Sequence, residues 1–479
     1  MSRISCLCPC VPTYQSTFAM RFFVSLILVC LLADVVAAAE QPPNVVIFFT
    51  DDQGTLDANC YGSTDLYTPA IDKLARNGVR FTQAYSHAVC CPARALLLTG
   101  RHPQRSGIVN WTQGSRKENE GNPTGTNLPK QEVTLAEALK DGGYHTALLG
   151  KWHLGARDGH GPLDQGFDTF FGHLGGFIDN HRHYFLHGRG FHDLYEQKEE
   201  VFRRGEYFPD LMTERAVNYI DDHRDEPFFL YVAFNIPHYP EQADQQFIDH
   251  YKKLPMPRRS YAAMVSTVDD RIGRIVGKLE KTKLRNNTIV IYMSDNGHSV
   301  ENGGSINMDD HASGFPKGHY YSANGGGGNT GKWIGAKGSF LEGGIRVPAI
   351  ISYPAKLPRG EVRDQAIIAA DWFPTVLELC GVDRLKVPLD GKSVLPVIAS
   401  ASEPSQHETM HWGWARNWAI REGSWKLLGS GNQPKQLVNL DDEQPERKNY
   451  LKEKPKLAER LHQAHNSWLI DVTPQFHTQ

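Results

Sequence analysis

The sequence predicts an α/β protein: a large mixed, mostly parallel sheet sandwiched by helices, followed by a small C-terminal antiparallel sheet with a helix packed on it. Three observations predict this. Several apolar runs of strand length are near-continuous rather than alternating, as in strands buried on both faces. Stretches of helical period lie between them, an alternation that builds a sheet covered by helices. Around Ser400-Ala401-Ser402-Glu403-Pro404 the composition turns polar, and the pieces beyond are short and charged.

Taken in order, residues 44–49 form the first strand and end at Asp51-Asp52. Residues 69–76 read as a helix with Ile71, Leu74 and Ala75 on one face. Pro92 suits a first helical position, residues 93–98 continue that helix, and Thr99-Gly100 ends it. Residues 134–140 form another, with Gly142-Gly143 as its stop. The strand at 145–149 runs into Gly150-Lys151-Trp152-His153, the one at 227–234 leads to His238, and the one at 288–293 to Asp295-Asn296. Longer helical stretches cover 211–222 and 261–281. Residues 301–340 are Gly- and Asn-rich, with Gly325 to Gly328 consecutive, and read as a long loop over the site edge. Strand-like pieces at 417–421 and 425–428 and a helix near 456–469 complete the chain. In open α/β sheets ligands bind beyond the carboxyl ends of the strands. Four strands deliver Asp51, Asp52, Lys151, His153, His238, Asp295 and Asn296 to that edge.

Residues 20–39 read as an export signal: Met20-Arg21, an apolar run at 22–32 too short to span a bilayer, and Ala37-Ala38-Ala39 as a cleavage site. The expected organisation is therefore 1–39 as signal peptide and upstream extension, 40–400 as catalytic domain and 401–479 as C-terminal subdomain. The destination is exported (periplasmic, secreted or lysosome-like), with no stable membrane insertion. With 51 basic and 54 acidic residues the net charge is −3, which carries no nucleic-acid footprint. Hydrophobic content of 40% with 44 Gly and 28 Pro fits a loop-rich globular enzyme rather than a disordered chain.

Beyond the leader, Cys60, Cys90, Cys91 and Cys380 are too few to staple a chain of this size. The adjacent pair is a poor candidate for a mutual bridge, so it invites a chemical reading. Cys90 at a helix start lies among free N–H groups that favour an anion, and Arg94, one turn in, can fold back on the same place. Asp51-Asp52 and Asp295-Asn296 offer hard oxygen ligands suited to Ca²⁺ or Mg²⁺ rather than Zn²⁺. Singly, each pair is also an ordinary turn or cap.

These residues together resemble the type I, formylglycine-dependent sulfatase family (arylsulfatase-like) of the alkaline-phosphatase-like superfamily. The signature C-x-P-[S/A]-R followed by LTGR stands as Cys90-Cys91-Pro92-Ala93-Arg94-Ala95-Leu96-Leu97-Leu98-Thr99-Gly100-Arg101. The second signature runs from Gly143-Tyr144-His145-Thr146 to Gly150-Lys151-Trp152-His153-Leu154-Gly155. Asp51-Asp52-Gln53-Gly54, Ser294-Asp295-Asn296-Gly297 and Lys337-Gly338-Ser339-Phe340-Leu341-Glu342-Gly343-Gly344 also match, so the likeness covers roughly residues 44–354. Ala93 replaces a serine common in the family.

The resemblance implies hydrolysis of sulfate esters, with a sulfated small molecule or carbohydrate as substrate. It implies that a formylglycine-generating enzyme converts Cys90, not Cys91, to 3-oxoalanine (formylglycine). One hydroxyl of that hydrate attacks sulfur and displaces the alcohol; the other collapses to the aldehyde and expels sulfate by C–O cleavage. Asp51, Asp52, Asp295, Asn296 and the modified Cys90 would bind one Ca²⁺. Arg94 would hold the hydrate, and His153 would take a proton from its second hydroxyl. Lys151, His238 and Lys337 would contact the sulfate and its leaving oxygen. His173 is a candidate for a further polar role, and His181, His183, His187 and His192 for a wall of the cleft. Two rival functions remain: a phosphodiesterase or phosphonate hydrolase, since phosphoryl transfer makes similar demands, and a non-catalytic sugar-binding protein in which Cys90 stays a thiol.

Overall fold

The first apolar run becomes a middle strand of the main sheet in a computed structural model of the protein. The structure describes residues 41–112, 127–186, 190–302, 313–320, 322–383 and 387–473, and otherwise only Ser5 and Pro9. The expected export signal, its cleavage site and His187 therefore lie outside the described residues. The chain from Pro43 onward packs as one compact unit.

In chain order its principal elements are β1 (Asn44–Thr50), α1 (Pro69–Arg76), β2 (Val79–Tyr85), α2 (Cys90–Thr99), α3 (Leu135–Asp141), β3 (His145–Lys151), β4 (Thr169–His173), α4 (Phe208–Asp222), β5 (Phe228–Ala233), α5 (Arg258–Lys281), β6 (Thr288–Ser294), β7 (Arg346–Ser352) and α6 (Trp372–Cys380). The order across the sheet is β2-β7-β6-β1-β5-β3-β4, extended at both edges by short strands. β1 pairs in parallel with β5 and β6, and β3 with β5 and β4; β7 is antiparallel to both β6 and β2. The sheet is thus mixed and mostly parallel, as expected.

Alternate residues of a strand face opposite sides, and β1 shows why its run is unbroken. Val45, Ile47 and Phe49 join a core that includes Leu96 and Leu97 of α2 and Val376 of α6. Val46 and Phe48 join a second core with Met212 of α4 and Ile272 of α5. Three of these strands, β2, β4 and β7, are not expected from the sequence. β7 contains Pro348, which argues against an interior strand; the register shifts between Val347 and Ala349 where β7 meets β2, so a bulge absorbs the proline. β2 carries Arg80, Thr82 and Gln83 among its apolar residues and so lacks a continuous apolar run.

The four-stranded antiparallel sheet β8 (Thr409–Trp414), β9 (Asn417–Glu422), β10 (Trp425–Ser430) and β11 (Gln433–Asn439) follows, with helix α7 (Pro455–Val472). Leu461 and Ala458 of α7 pack on Trp418, Ile420 and Leu427. Between Ser313 and Gly338 the described residues are irregular apart from an isolated bridge pairing Asn302 with Asn324. Among the described residues no helix is long and apolar enough to cross a membrane.

Candidate active site

Parallel pairing aligns strand ends, and this assembles the site. Thr50 is paired with Ser294, and the Asp295 amide donates to the Thr50 carbonyl at 3.0 Å, so Asp51 and Asp295 leave adjacent strands side by side. The Asp52 amide donates to Asp295 Oδ1 at 3.1 Å. Gly150 precedes Lys151 where β3 crosses close to β5: a Cβ there would lie 2.0 Å from the Ala233 carbonyl oxygen. Only glycine permits that approach.

Helix α2 begins two residues earlier than the sequence reading placed it. Val89, extended at φ −146°, is the cap, so Cys90 is the first helical residue and Pro92 the third. Proline is tolerated there because the first-turn N–H groups have no intrahelical acceptor. All ten residues of α2 are buried. Its stop is Gly100, at φ +64°, where any Cβ would meet Phe373 at 2.9 Å. The two cysteines diverge. Cys91 Sγ accepts from the Thr112 amide at 3.1 Å within the core. Cys90 Sγ faces Asp51 Oδ1 at 3.4 Å.

Cys90 Sγ and carboxylate oxygens of Asp51, Asp52 and Asp295 all lie within 4.8 Å of one another and are buried. Cations surround them. Lys151 Nζ is 2.7 Å from Asp51 Oδ2, with both side chains fully buried. Arg94 reaches Asp295 Oδ2 at 2.9 Å and Asp51 Oδ1 at 3.8 Å. Lys337 Nζ is 2.9 Å from Asp52 Oδ2, and His238 Nε2 lies 3.7 Å from the same oxygen. Asn296 Nδ2 donates to Asp52 Oδ1 at 2.6 Å. Nine of the ten residues expected at the site thus meet in direct contacts; the tenth, His153, is buried beside Lys151 and its ring nitrogens have no hydrogen-bond partner among the described residues. Asp52 (φ 66°) and His153 (φ 56°) both occupy the left-handed region, which is uncommon for non-glycine residues.

The charges respond to crowding. Burial tends to raise Asp51, but Lys151 and its other cationic neighbours hold it well below the usual carboxylate range. Burial, with Asp51 and Asp295 alongside, pushes Asp52 up to about 7 in spite of Lys337. Burial and Asp51 push Asp295 up to about 6. A divalent cation fits this donor set: the oxygens are hard ligands, burial and mutual repulsion raise Asp52 and Asp295 despite their cationic neighbours, and the buried Asn296 Oδ1 has no hydrogen-bond partner among the described residues. Burial also raises the Cys90 thiol well above its ordinary value, so a cysteine here is a poor nucleophile at neutral pH.

The other histidines divide. His173, at the end of β4 opposite Lys151, is buried with Nδ1 3.0 Å from the Gly175 carbonyl. His183 and His192 are held by the Glu206 carbonyl and Glu200, and none of these histidines joins a metal-ligand cluster among the described residues. Just before the stretch at 181–192, Phe177 stacks 5.4 Å from the His238 ring. Glu301 went unrecognised in the sequence. It clusters with Asp52 and His238, and its Oε2 is 3.3 Å from Lys337 Nζ. No motif or strand end marks it; only the fold of the glycine-rich segment brings it in.

The Sulfatase family model matches residues 43–382, and the model for the C-terminal part of N-sulphoglucosamine sulphohydrolase matches residues 333–467. Arylsulfatase J of Mus musculus is 32% identical over 426 residues, a match covering 82% of this chain and 65% of the relative, just under two thirds of its length. N-acetylgalactosamine-6-sulfatase of Sus scrofa is 31% identical over 425 residues, covering 81% of this chain and 75% of the relative. The crystal structure of Ps i-CgsB in complex with k-i-k-neocarrahexaose superposes with a TM-score of 0.77 at 29% identity, covering 92% of this chain and 96% of that one. Phosphonate monoester hydrolase of Agrobacterium radiobacter shares the fold, with a TM-score of 0.59 at 19% identity, covering 90% of this chain and 95% of that one.

Proposed function

Because the chain belongs to the formylglycine-dependent sulfatase family, within the alkaline-phosphatase-like superfamily, we propose that it hydrolyses sulfate esters on a sulfated carbohydrate, with Cys90 as the precursor of the reacting group. The observation that carries this reading is the convergence of Cys90 Sγ on three buried carboxylates, with Arg94, Lys151 and Lys337 around them. Substrate class is supported by relatives named for N-acetylgalactosamine-6-sulfate chemistry and by a solved relative holding a neocarrahexaose. Residues 40–400 act as the catalytic part and 401–479 as a subdomain, after export directed by residues 20–39 and conversion of Cys90 by a formylglycine-generating enzyme.

Asp51, Asp52, Asp295, Asn296 and the modified position 90 hold one Ca²⁺, which when bound draws charge from the sulfate oxygens. Converted to formylglycine, position 90 supplies the attacking hydroxyl and an exit by C–O cleavage that serine or cysteine lacks. The chain's own groups do the rest. Arg94, anchored on Asp295, fixes the oxygens at position 90. Lys151 and Lys337 place positive charge where the sulfuryl oxygens sit. His238 Nδ1 donates to the Tyr239 carbonyl at 2.6 Å, which turns Nε2 toward the leaving oxygen. Burial and Lys337 lower His238 to about 3; the negative charge of a bound ester opposes Lys337 and lets Nε2 carry the proton it delivers. His153, held neutral by burial and Lys151, is free to accept one.

Two results are expected. The converted protein turns over 4-nitrophenyl sulfate at least about 100-fold faster than bis(4-nitrophenyl) phosphate; a dominant phosphodiesterase rate overturns the substrate class. Treatment with EGTA lowers the sulfate-ester rate by about 100-fold or more and also lowers the thermal midpoint, since it unmasks three crowded carboxylates; added Ca²⁺ restores both. A chelator-insensitive rate and midpoint rule the metal out.

A further inference from the structure

Two tryptophans flank the site without entering the chemistry. Trp111 is 44% exposed. It is held in place by its neighbour Thr112, whose hydroxyl donates to the His153 carbonyl at 2.7 Å and whose amide donates to Cys91 Sγ. Trp414 ends β8, and its ring lies 3.7 Å from where a Cβ on Gly338 would stand, beside Lys337. The two indoles meet edge to face, 5.3 Å apart at 75°. Asn110 Oδ1 accepts from the Trp111 amide at 2.9 Å and from Trp414 Nε1 at 3.4 Å, so it pins both. Each tryptophan is thus one residue, or one ring contact, from a segment that builds the reacting centre, and they approach it from different parts of the chain.

Behind Trp414 the surface opens into a cavity of about 450 Å³ lined by Asn110, Trp414, Arg416, Asn417, Trp418 and Asn432, among others. Flat aromatic faces bordered by planar amides and a guanidinium are the combination that accepts a pyranose ring: its C–H face lies on an indole, and its hydroxyls meet the amides. Lone exposed tryptophans need no explanation, but a locked pair joined to a largely apolar cavity edged by amides and a guanidinium, and to Lys337, does.

We propose that Trp111 and Trp414 form a sugar subsite next to the sulfated unit, and that the adjoining cavity, walled by Gln104, Val109 and Asn110, by the C-terminal sheet and by α7, takes the following unit of the chain. The proposal rests on the sulfate-ester reading and adds that the substrate is an oligosaccharide longer than one residue. Small aryl sulfates do not reach the subsite.

The test compares converted wild-type protein with Trp111→Ala, Trp414→Ala and Trp414→Tyr on 4-nitrophenyl sulfate and on carrageenan and chondroitin sulfate oligosaccharides of two to six residues. The ratio of kcat/KM for oligosaccharide to that for aryl sulfate is expected to fall about tenfold in each alanine variant, through KM, and to recover in Trp414→Tyr. Quenching of tryptophan fluorescence by the same sugars, read in the Cys90→Ala protein, should weaken with them. An unchanged ratio, a fall equal for both substrates, or a wild type that cleaves aryl sulfate but none of the oligosaccharides overturns the subsite and leaves the sulfatase reading standing. Absence of turnover of every sulfate ester, with quenching retained, instead overturns the sulfatase reading alone.

Discussion

The Cys90→Ala protein is expected to lose sulfate-ester turnover by about 10⁴-fold or more while its thermal midpoint stays within a few degrees of wild type. Truncating Sγ removes the atom facing Asp51 Oδ1 and, with it, the precursor of the reacting group. It leaves α2 with its extended Val89 cap and Gly100 stop. Cys91→Ala is the control that separates chemistry from packing. Cys91 Sγ lies in the core and accepts from the Thr112 amide, so its loss costs stability of about 1–2 kcal/mol and leaves most of the rate. Cys90→Ser keeps a hydroxyl but has no route for C–O cleavage, so it is expected to stall after sulfating itself. Mass spectrometry of the Cys90 peptide completes the test: aldehyde or hydrate in active protein is the expected species, and an active protein with an intact thiol contradicts the mechanism.

How much of this was legible in sequence depends on what kind of constraint placed each residue. Asp51, Lys151 and Asp295 were legible because strands buried on both faces leave unbroken apolar runs, and a polar residue ending such a run must emerge at the sheet's edge. The start of α2 was misplaced by two residues because Pro92 is compatible with either frame; the extended backbone of Val89, which decides it, has no mark in the sequence. β7 was hidden by Pro348, whose bulge depends on pairing with β2, a strand remote in sequence. Glu301 and Trp414 could not be found by pattern at all, and no pattern marks the contact that Thr112 makes. Each sits in or beside an irregular segment, and its place is set by long-range contacts: Glu301 to Lys337, Thr112 to His153, Trp414 to Gly338.

The same long-range logic predicts a large stability effect away from the reacting centre. Lys426 of β10 is fully buried, with Nζ 2.8 Å from Glu342 Oε1, 2.6 Å from Glu446 Oε1 and 2.9 Å from the Phe340 carbonyl. Glu342 follows five residues after Lys337, and its amide donates to both Glu446 oxygens. One ammonium therefore ties the C-terminal sheet to the segment that presents Lys337. Lys426→Met should cost about 3–5 kcal/mol, because two buried carboxylates lose their shared partner. It should also lower kcat as the Lys337 segment loosens. Burial works to raise Glu342, but Lys426, then Arg346 and Arg421, outweigh it and hold it at about 2 against an ordinary 4.5. For Glu342 a depressed folded value means its contribution is complete above about pH 4.5 and is lost as pH falls toward 2, whereas burial raises Glu446 on the same ammonium, so the acid loss is carried by Glu342. Without Lys426 the balance reverses: the carboxyls take up protons at higher pH, so the variant should be relatively more stable in mild acid than at neutrality, opposite to wild type. Thermal melts across pH read both signs. The triple variant Lys426→Met, Glu342→Gln, Glu446→Gln removes the stranded charges and should recover much of the lost stability, since a buried ion cluster and its neutral replacement are often close in energy. If the triple variant is no more stable than Lys426→Met, the cost lies in packing around the lysine stem rather than in unpaired charge.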